Sequence, residues 1–234
     1  MQLFYNSDIK QGATTFFFDK EESKHIVKVL RKKESDKIFI TNGLGFLFES
    51  EITLASEKKC EVKITKESFQ EPDKFYTHIA VAPTKMNDRL EWFLEKATEI
   101  GIHEITPIIC DHSERKVYKI DRAEKIIQAA MKQSLHYYIP KINEPISLSQ
   151  FVKSNIDGQK FIAHCEETDK KSFKNEVKKD EKITILIGPE GDFSSKEINL
   201  TIENNFIPVT LGNTRLRTET AALVACHTIA LINE

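Results

Sequence analysis

The stretch "ITILIGPEGDFSSKEI", residues 183–198, constrains the chain more than any other. Ile183 to Ile187 is short, apolar and rich in β-branched residues, which reads as a buried strand rather than a helix. Gly188 and Gly191 bracket Pro189 and Glu190, and without a Cβ they permit a sharp bend or a close backbone approach to a ligand. Ser194 and Glu197 form a capping box, and Phe193 and Ile198 have the spacing of a hydrophobic staple. Strand, glycine loop and helix in that order put the loop at the carboxyl end of a strand, where open α/β sheets hold their ligands. "LGNTRLRTETAAL", residues 211–223, repeats the grammar. A strand ends at Gly212, an irregular stretch carries Arg215 and Arg217, and a helix capped at Thr218 opens with Glu219. Two consecutive loops of this kind predict a paired pocket. The first lacks the GxxxxGK[ST] of a P-loop, and its GxxG is not the GxGxxG of a dinucleotide fold.

The surrounding chain has two grammars. Residues 1–70 are β-rich, with strands expected at 14–19, 36–41, 46–55 and 60–65 and a turn at Asn42-Gly43. Between the first two, Ile26, Val27 and Leu30 mark a helix within 20–33. A small barrel with one inserted helix is the expected unit, and charged residues 67–74, with Pro72, read as a linker. From residue 75 to 234, strands at 77–83, 105–110, 160–165, 183–188 and 207–212 alternate with helical stretches. The clearest helix covers 87–101 and stops at Gly101, another starts near Asp121, and the last runs from about Thr218 to Ile232. Such alternation implies an α/β domain with a mostly parallel sheet covered on both faces.

With 34 Lys and Arg against 36 Asp and Glu, the formal charge is −2, so a nucleic-acid partner must be met by a local basic patch. No run reaches the length of a membrane span, and Cys60, Cys110, Cys165 and Cys226 are scattered without a CxxC. A reduced, cytoplasmic chain without a metal site is the expectation.

"LIGPEGDFS" together with "LGNTRLRTETAAL" resembles the RsmE family of SPOUT methyltransferases. Supporting motifs fall in family order along essentially the whole chain: "HIVKVLR" (25–31), "KMNDRLEWFLEKATEIGI" (85–102), "SERKV" (113–117) and "KQSLHYYIP" (132–140). His136 stands where many relatives have arginine, Lys132 where many have glutamate, and Asp192 where a second glycine is commoner. The resemblance implies a PUA-like N-terminal β-barrel and a C-terminal α/β domain threaded into a trefoil knot. It also implies S-adenosyl-L-methionine as cofactor, a homodimer, and methylation of N3 of a uridine in 16S rRNA of the small ribosomal subunit. Another RNA target for a SPOUT enzyme, or a non-catalytic RNA-binding module, are the competing readings.

Carried onto this chain, the resemblance implies cofactor contacts at His164, Glu166, Leu186, Gly188, Pro189, Glu190, Gly191, Leu211, Gly212, Asn213, Leu216 and Arg217. Backbone groups of bare loops can read an adenine while Leu186, Leu211 and Leu216 bury its ring. N3 of uracil is a poor nucleophile while protonated, so an arginine facing O2 or O4 would stabilise the developing anion. Arg217 is the expected catalytic residue, with Glu219 as proton acceptor or as its orienting partner. Lys24, Lys28 and Arg31 beside the N-terminal helix are the expected RNA contacts, followed by Lys85 and Arg115.

Overall fold

The computed structural model describes residues 1–167 and 169–234, which divide into two compact units. One comprises Met1–Pro72 with Met131–Ile139, and the other Asp73–Ala130 with Pro140–Glu234.

The first unit is built on β1 (Leu3–Tyr5), β2 (Thr15–Phe17), β3 (Lys37–Thr41), β4 (Phe46–Leu54) and β5 (Glu61–Phe69), in the sheet order β1-β3-β4-β5-β2. β1 pairs with β3 in parallel, and the other pairs are antiparallel. Register shifts at Glu49/Ser50 and Ile52/Leu54 put irregularities into the β4–β5 ladder, and such bulges strengthen local twist. Phe4, Ile26, Ile38, Ile40, Phe48 and Val62 are fully buried together. The expected linker is a strand in its first part. β5 continues to Phe69, because Phe46, Leu47 and Phe48 pair with Phe69, Ser68 and Glu67, and Phe69 packs 4.8 Å from Phe46. Residues Met131–Ile139 belong with this unit: Gly45 N donates to Tyr137 O at 2.9 Å and Ile139 N to Gly43 O at 3.0 Å. A Cβ on Gly45 (φ 90°) would lie 2.3 Å from the Tyr138 hydroxyl, so the close approach requires glycine.

The inserted helix is two pieces. α1 (Lys20–Lys24) is capped by Asp19, whose Oδ1 accepts from Glu22 N at 2.8 Å. A π-helical turn, His25–Val29, follows, closed by Leu30 N donating to His25 O at 2.9 Å. Arg31 leaves it at φ 54°, a left-handed conformation uncommon for arginine.

The second unit contains β6 (Tyr76–Val81), α2 (Asn87–Ile100), β7 (Glu104–Ile109), α3 (Asp121–Ser134) up to Ala130, β8 (Lys141–Ile142), β9 (Ile146–Ser147), α4 (Leu148–Val152), β10 (Gln159–Ala163), β11 (Lys171–Ser172), α5 (Phe173–Glu176), β12 (Lys182–Ile187), α6 (Ser195–Glu203), β13 (Ile207–Thr210) and α7 (Thr218–Asn233). Every strand pair of its sheet is parallel, in the order β11-β13-β10-β12-β6-β7-β8, with β9 pairing β7. The sheet carries α7 against β6, β12 and α2, while α4 packs on α6. α2 ends at Gly101 with φ 102°, as a glycine after a helix should. The capping box at Ser194 and Glu197 is formed, and Phe193 and Ile198 share one buried cluster.

β13 lies at the far side of β10 from β12, yet α7 packs beneath β12 and β6. The segment between them therefore crosses back past the carboxyl ends of β10 and β12.

Candidate active site

The carboxyl ends of β10, β12 and β13 border a cleft of about 320 Å³. Its walls include Ala163, Ile187, Val209, Leu211, Leu216 and Ala221, an apolar surface of the kind that buries a ligand's ring. Gly188, Pro189 and Glu190 enter from the loop after β12, and Gly212, Thr214, Arg215 and Arg217 from the loop after β13.

The two loops are tied directly. The Thr218 hydroxyl donates to the Gly188 carbonyl at 3.0 Å, and Thr218 is buried. Thr218 is therefore the first residue of α7 and not its cap; Arg217 takes the cap position in extended conformation, φ −72° and ψ 157°, without a side-chain cap. The glycines act by close approach. A Cβ on Gly188 would meet the Phe193 ring at 3.0 Å, and one on Gly191 would meet His112 Cβ at 3.1 Å. The left-handed residue of this loop is Asp192, φ 62°, in the position where a glycine is commoner. Its carboxylate stabilises that bend, since Oδ1 accepts from Phe193 N at 2.9 Å and Oδ2 from Cys165 N at 2.7 Å.

Three buried polar atoms near the cleft have no partner among the described residues: both ring nitrogens of His164 and Oε2 of Glu190. Burial, and then the Lys170 charge, push the His164 imidazole below its ordinary value, so the ring is neutral at pH 7. Glu190 Oε1 accepts from Lys85 N at 3.0 Å, which holds the residue 84–87 turn against the loop. Arg115 shapes the same turn, donating to Asn87 Oδ1 and to Lys85 O. Lys85 Nζ is paired with exposed Glu114 at 2.7 Å, and that hydrogen bond raises its pKa.

Of the residues expected to contact a cofactor, His164, Gly188, Pro189, Glu190, Leu211, Gly212, Leu216 and Arg217 line the cleft. Glu166, Leu186, Gly191 and Asn213 do not. Leu186 alternates away from Ile187 and is fully buried in the core with Ala80, Ile108 and Phe193. Glu166 Oε1 accepts from Ser195 Oγ at 2.6 Å. Glu219 is buried outside the lining, with Oε1 3.9 Å from Arg89 Nε and Oε2 unpartnered among the described residues. Sequence reasoning missed Thr210 on the wall, whose residue type carries no loop signal. In the first unit, Lys24, Lys28 and Arg31 are exposed on and after the interrupted helix.

A parallel α/β sheet with a cleft between the loops after β12 and β13, in a chain that also carries a small β-rich unit, is the layout of an RNA-modifying methyltransferase. Residues 71–230 match the RNA methyltransferase domain family and residues 18–65 the RNA methyltransferase PUA domain family. The chain is 31% identical to ribosomal RNA small subunit methyltransferase E of Bacillus subtilis, covering 100% of this chain and 98% of that one. It is 33% identical to the protein of the same name from Buchnera aphidicola, over 90% and 85% of the two chains. Among solved structures, a "probable rRNA-methyltransferase" of Porphyromonas gingivalis superposes with TM-score 0.92 at 38% identity, covering 100% and 98%. A methyltransferase of Legionella pneumophila in complex with its bound cofactor S-adenosylmethionine gives TM-score 0.89 at 28% identity, covering 99% and 97%. The chain belongs to the ribosomal RNA small subunit methyltransferase E family.

Proposed function

We propose that this chain transfers the methyl group of S-adenosyl-L-methionine to N3 of one uridine in 16S rRNA of the small ribosomal subunit. The observation that carries this reading is the cleft in which two glycine loops are joined by Thr218 and Gly188. The cleft suits the cofactor in size, in its apolar walls, and in the unpartnered nitrogens of buried His164, which are free to bond a polar ligand. When bound, the cofactor supplies a methyl group already activated by its sulfonium, so no metal is required.

The protein's share of the reaction is positioning and charge. Residues 188–190 and 211–212 line the cleft and offer backbone groups to the cofactor's polar edge, and Leu211 and Leu216 bury the adenine. Arg217, exposed at the cleft rim, meets O2 or O4 of the uracil and stabilises the anion that forms as N3 loses its proton. Glu219 holds Arg89 and the start of α7, a positioning task set by its burial and its 3.9 Å approach to that guanidinium. Lys24, Lys28 and Arg31 bind RNA phosphates, with Lys85 and Arg115 as further contacts. We place the enzyme in the cytoplasm as a homodimer acting on rRNA or the small subunit. No described helix is long and apolar enough to cross a membrane, and no described group of His, Cys, Asp or Glu could hold a metal.

Primer extension on 16S rRNA from cells with and without the protein tests the activity. N3 methylation blocks the pairing edge, so one strong stop should vanish when the gene is removed. An unchanged pattern of stops would overturn the assignment.

A further inference from the structure

A second cavity, of about 580 Å³, lies at the opposite end of the same sheet. It is bounded by the amino ends of β6, β7 and β12, by residues 143–146, and by the chain leaving α4. Thr184, His78 and Glu104 form one register row across β12, β6 and β7. They share a sheet face with apolar Leu186, Ala80 and Ile108, by the period of two. A continuous apolar face would have served packing alone, yet here the row turns polar where the five-residue α4 stops.

The polar groups form an ordered chain of hydrogen bonds. Glu104 accepts from Tyr76 OH at 3.0 Å, from Asn143 Nδ2 at 2.7 Å and from Lys141 Nζ at 3.0 Å. Asn143 Nδ2 also donates to Thr106 Oγ1 at 2.7 Å, and Thr106 Oγ1 is hydrogen-bonded to His78 Nε2, again 2.7 Å away. Burial pushes the imidazole down to about 4, so the ring is neutral at physiological pH. Nδ1 lies 3.9 Å from Glu104 Oε2, too far for a hydrogen bond. Thr184, only 4% exposed, lines the cavity with no hydrogen-bond partner for its hydroxyl among the described residues. Both groups line the cavity without a protein hydrogen bond among the described residues, so a polar ligand can pair with them there.

The walls and rim narrow its chemistry. Phe151 packs edge-on to His78 at 5.5 Å, and Ile146 and Ile156 add flat apolar surface. Glu104 is answered by Lys141 and Asp157 by Lys182 at 3.7 Å, while exposed Glu144 adds a negative charge. The one cation among the described lining residues, Lys182, is paired with Asp157, and with Glu104, Glu144 and Asp157 the lining carries more negative than positive charge, which disfavours a phosphate. We propose that this cavity binds a free nucleoside or nucleobase, unphosphorylated, whose neutral planar ring meets His78 Nδ1, the Asn143 carbonyl oxygen and the Thr184 hydroxyl against Phe151.

The test is calorimetric titration of adenosine, guanosine, cytidine and uridine into the full chain already saturated with S-adenosylhomocysteine, so that the first cleft is occupied. At least one nucleoside should bind saturably with a Kd below about 1 mM. Thr184→Val should weaken that binding roughly three- to tenfold, and Thr184→Ser, which keeps the hydroxyl, should restore it. Thermal melts confirm that both variants are folded. Absence of binding by all four, equal binding by the valine variant, or tighter binding of the 5′-monophosphates would overturn the proposal. None of these outcomes depends on methyl transfer.

Discussion

At the scale of the residue, much of the site rests on Thr218. Its position before an apolar helix invites reading it as a cap, since Ser and Thr favour that role. The hydroxyl is instead donated to Gly188 O, and the cap position falls to Arg217. Thr218→Val keeps the shape and removes one buried hydrogen bond, worth about 1 kcal/mol. The Kd for S-adenosylmethionine should rise about fivefold in calorimetry, with little change in far-UV circular dichroism. Cysteine chemistry gives a second residue-scale expectation. Burial pushes the Cys60 thiol up to about 11 and Cys226 up to about 12, and raises Cys110 further, whereas Cys165 is exposed on the cleft wall. A thiol reagent should therefore label Cys165 alone in the native protein, and added cofactor should slow that labelling. Equal labelling of two or more thiols before unfolding would contradict this arrangement.

At the scale of the element, the start of α7 brings Arg217 and Glu219 together in sequence but turns them to different tasks. Arg217 reaches the cleft, while Glu219 is buried toward Arg89 on α2. Arg217→Ala should lower kcat on order of a hundredfold, the typical effect of removing one anion-stabilising donor. Glu219→Gln should lower kcat less than tenfold while reducing Tm, because it disturbs a helix contact. A comparable loss of kcat with unchanged Tm would return the proton-acceptor role to Glu219. Elements with strong periodicity and chemical punctuation were legible: α2 with its stripe and Gly101, α6 with its capping box, and β12 with its β-branched run. β1 is three residues long and paired only through the distant β3, so nothing local announces it. The end of β5 looked like a linker because its side chains are polar, and its pairing with Phe46 to Phe48 is non-local. The glycine loops revealed the cleft, but not which side chains face it. Leu186 and Ile187 differ only in pleat direction, and that is set by the register of the whole sheet.

At the scale of the molecule, His78 links stability to pH. Its pKa in the folded chain, about 4, lies below the ordinary 6.5, so between these values the unfolded chain binds the additional proton. The stabilisation is complete above pH 6.5 and falls as pH drops toward 4, by up to about 3 kcal/mol from this group. Urea unfolding across that range should show the loss, and His78→Gln should flatten it; a profile unaltered by that substitution would remove His78 as its source. The tie between Thr218 and Gly188 has a consequence for the order of manufacture. The loop that begins the cleft leaves the ribosome some thirty residues before the helix that completes it. Until the C-terminal α7 has emerged and drawn back beneath the sheet, the nascent chain has half a binding site and no affinity to lose. The cleft therefore closes late in synthesis, when the second half of the site folds back onto the first.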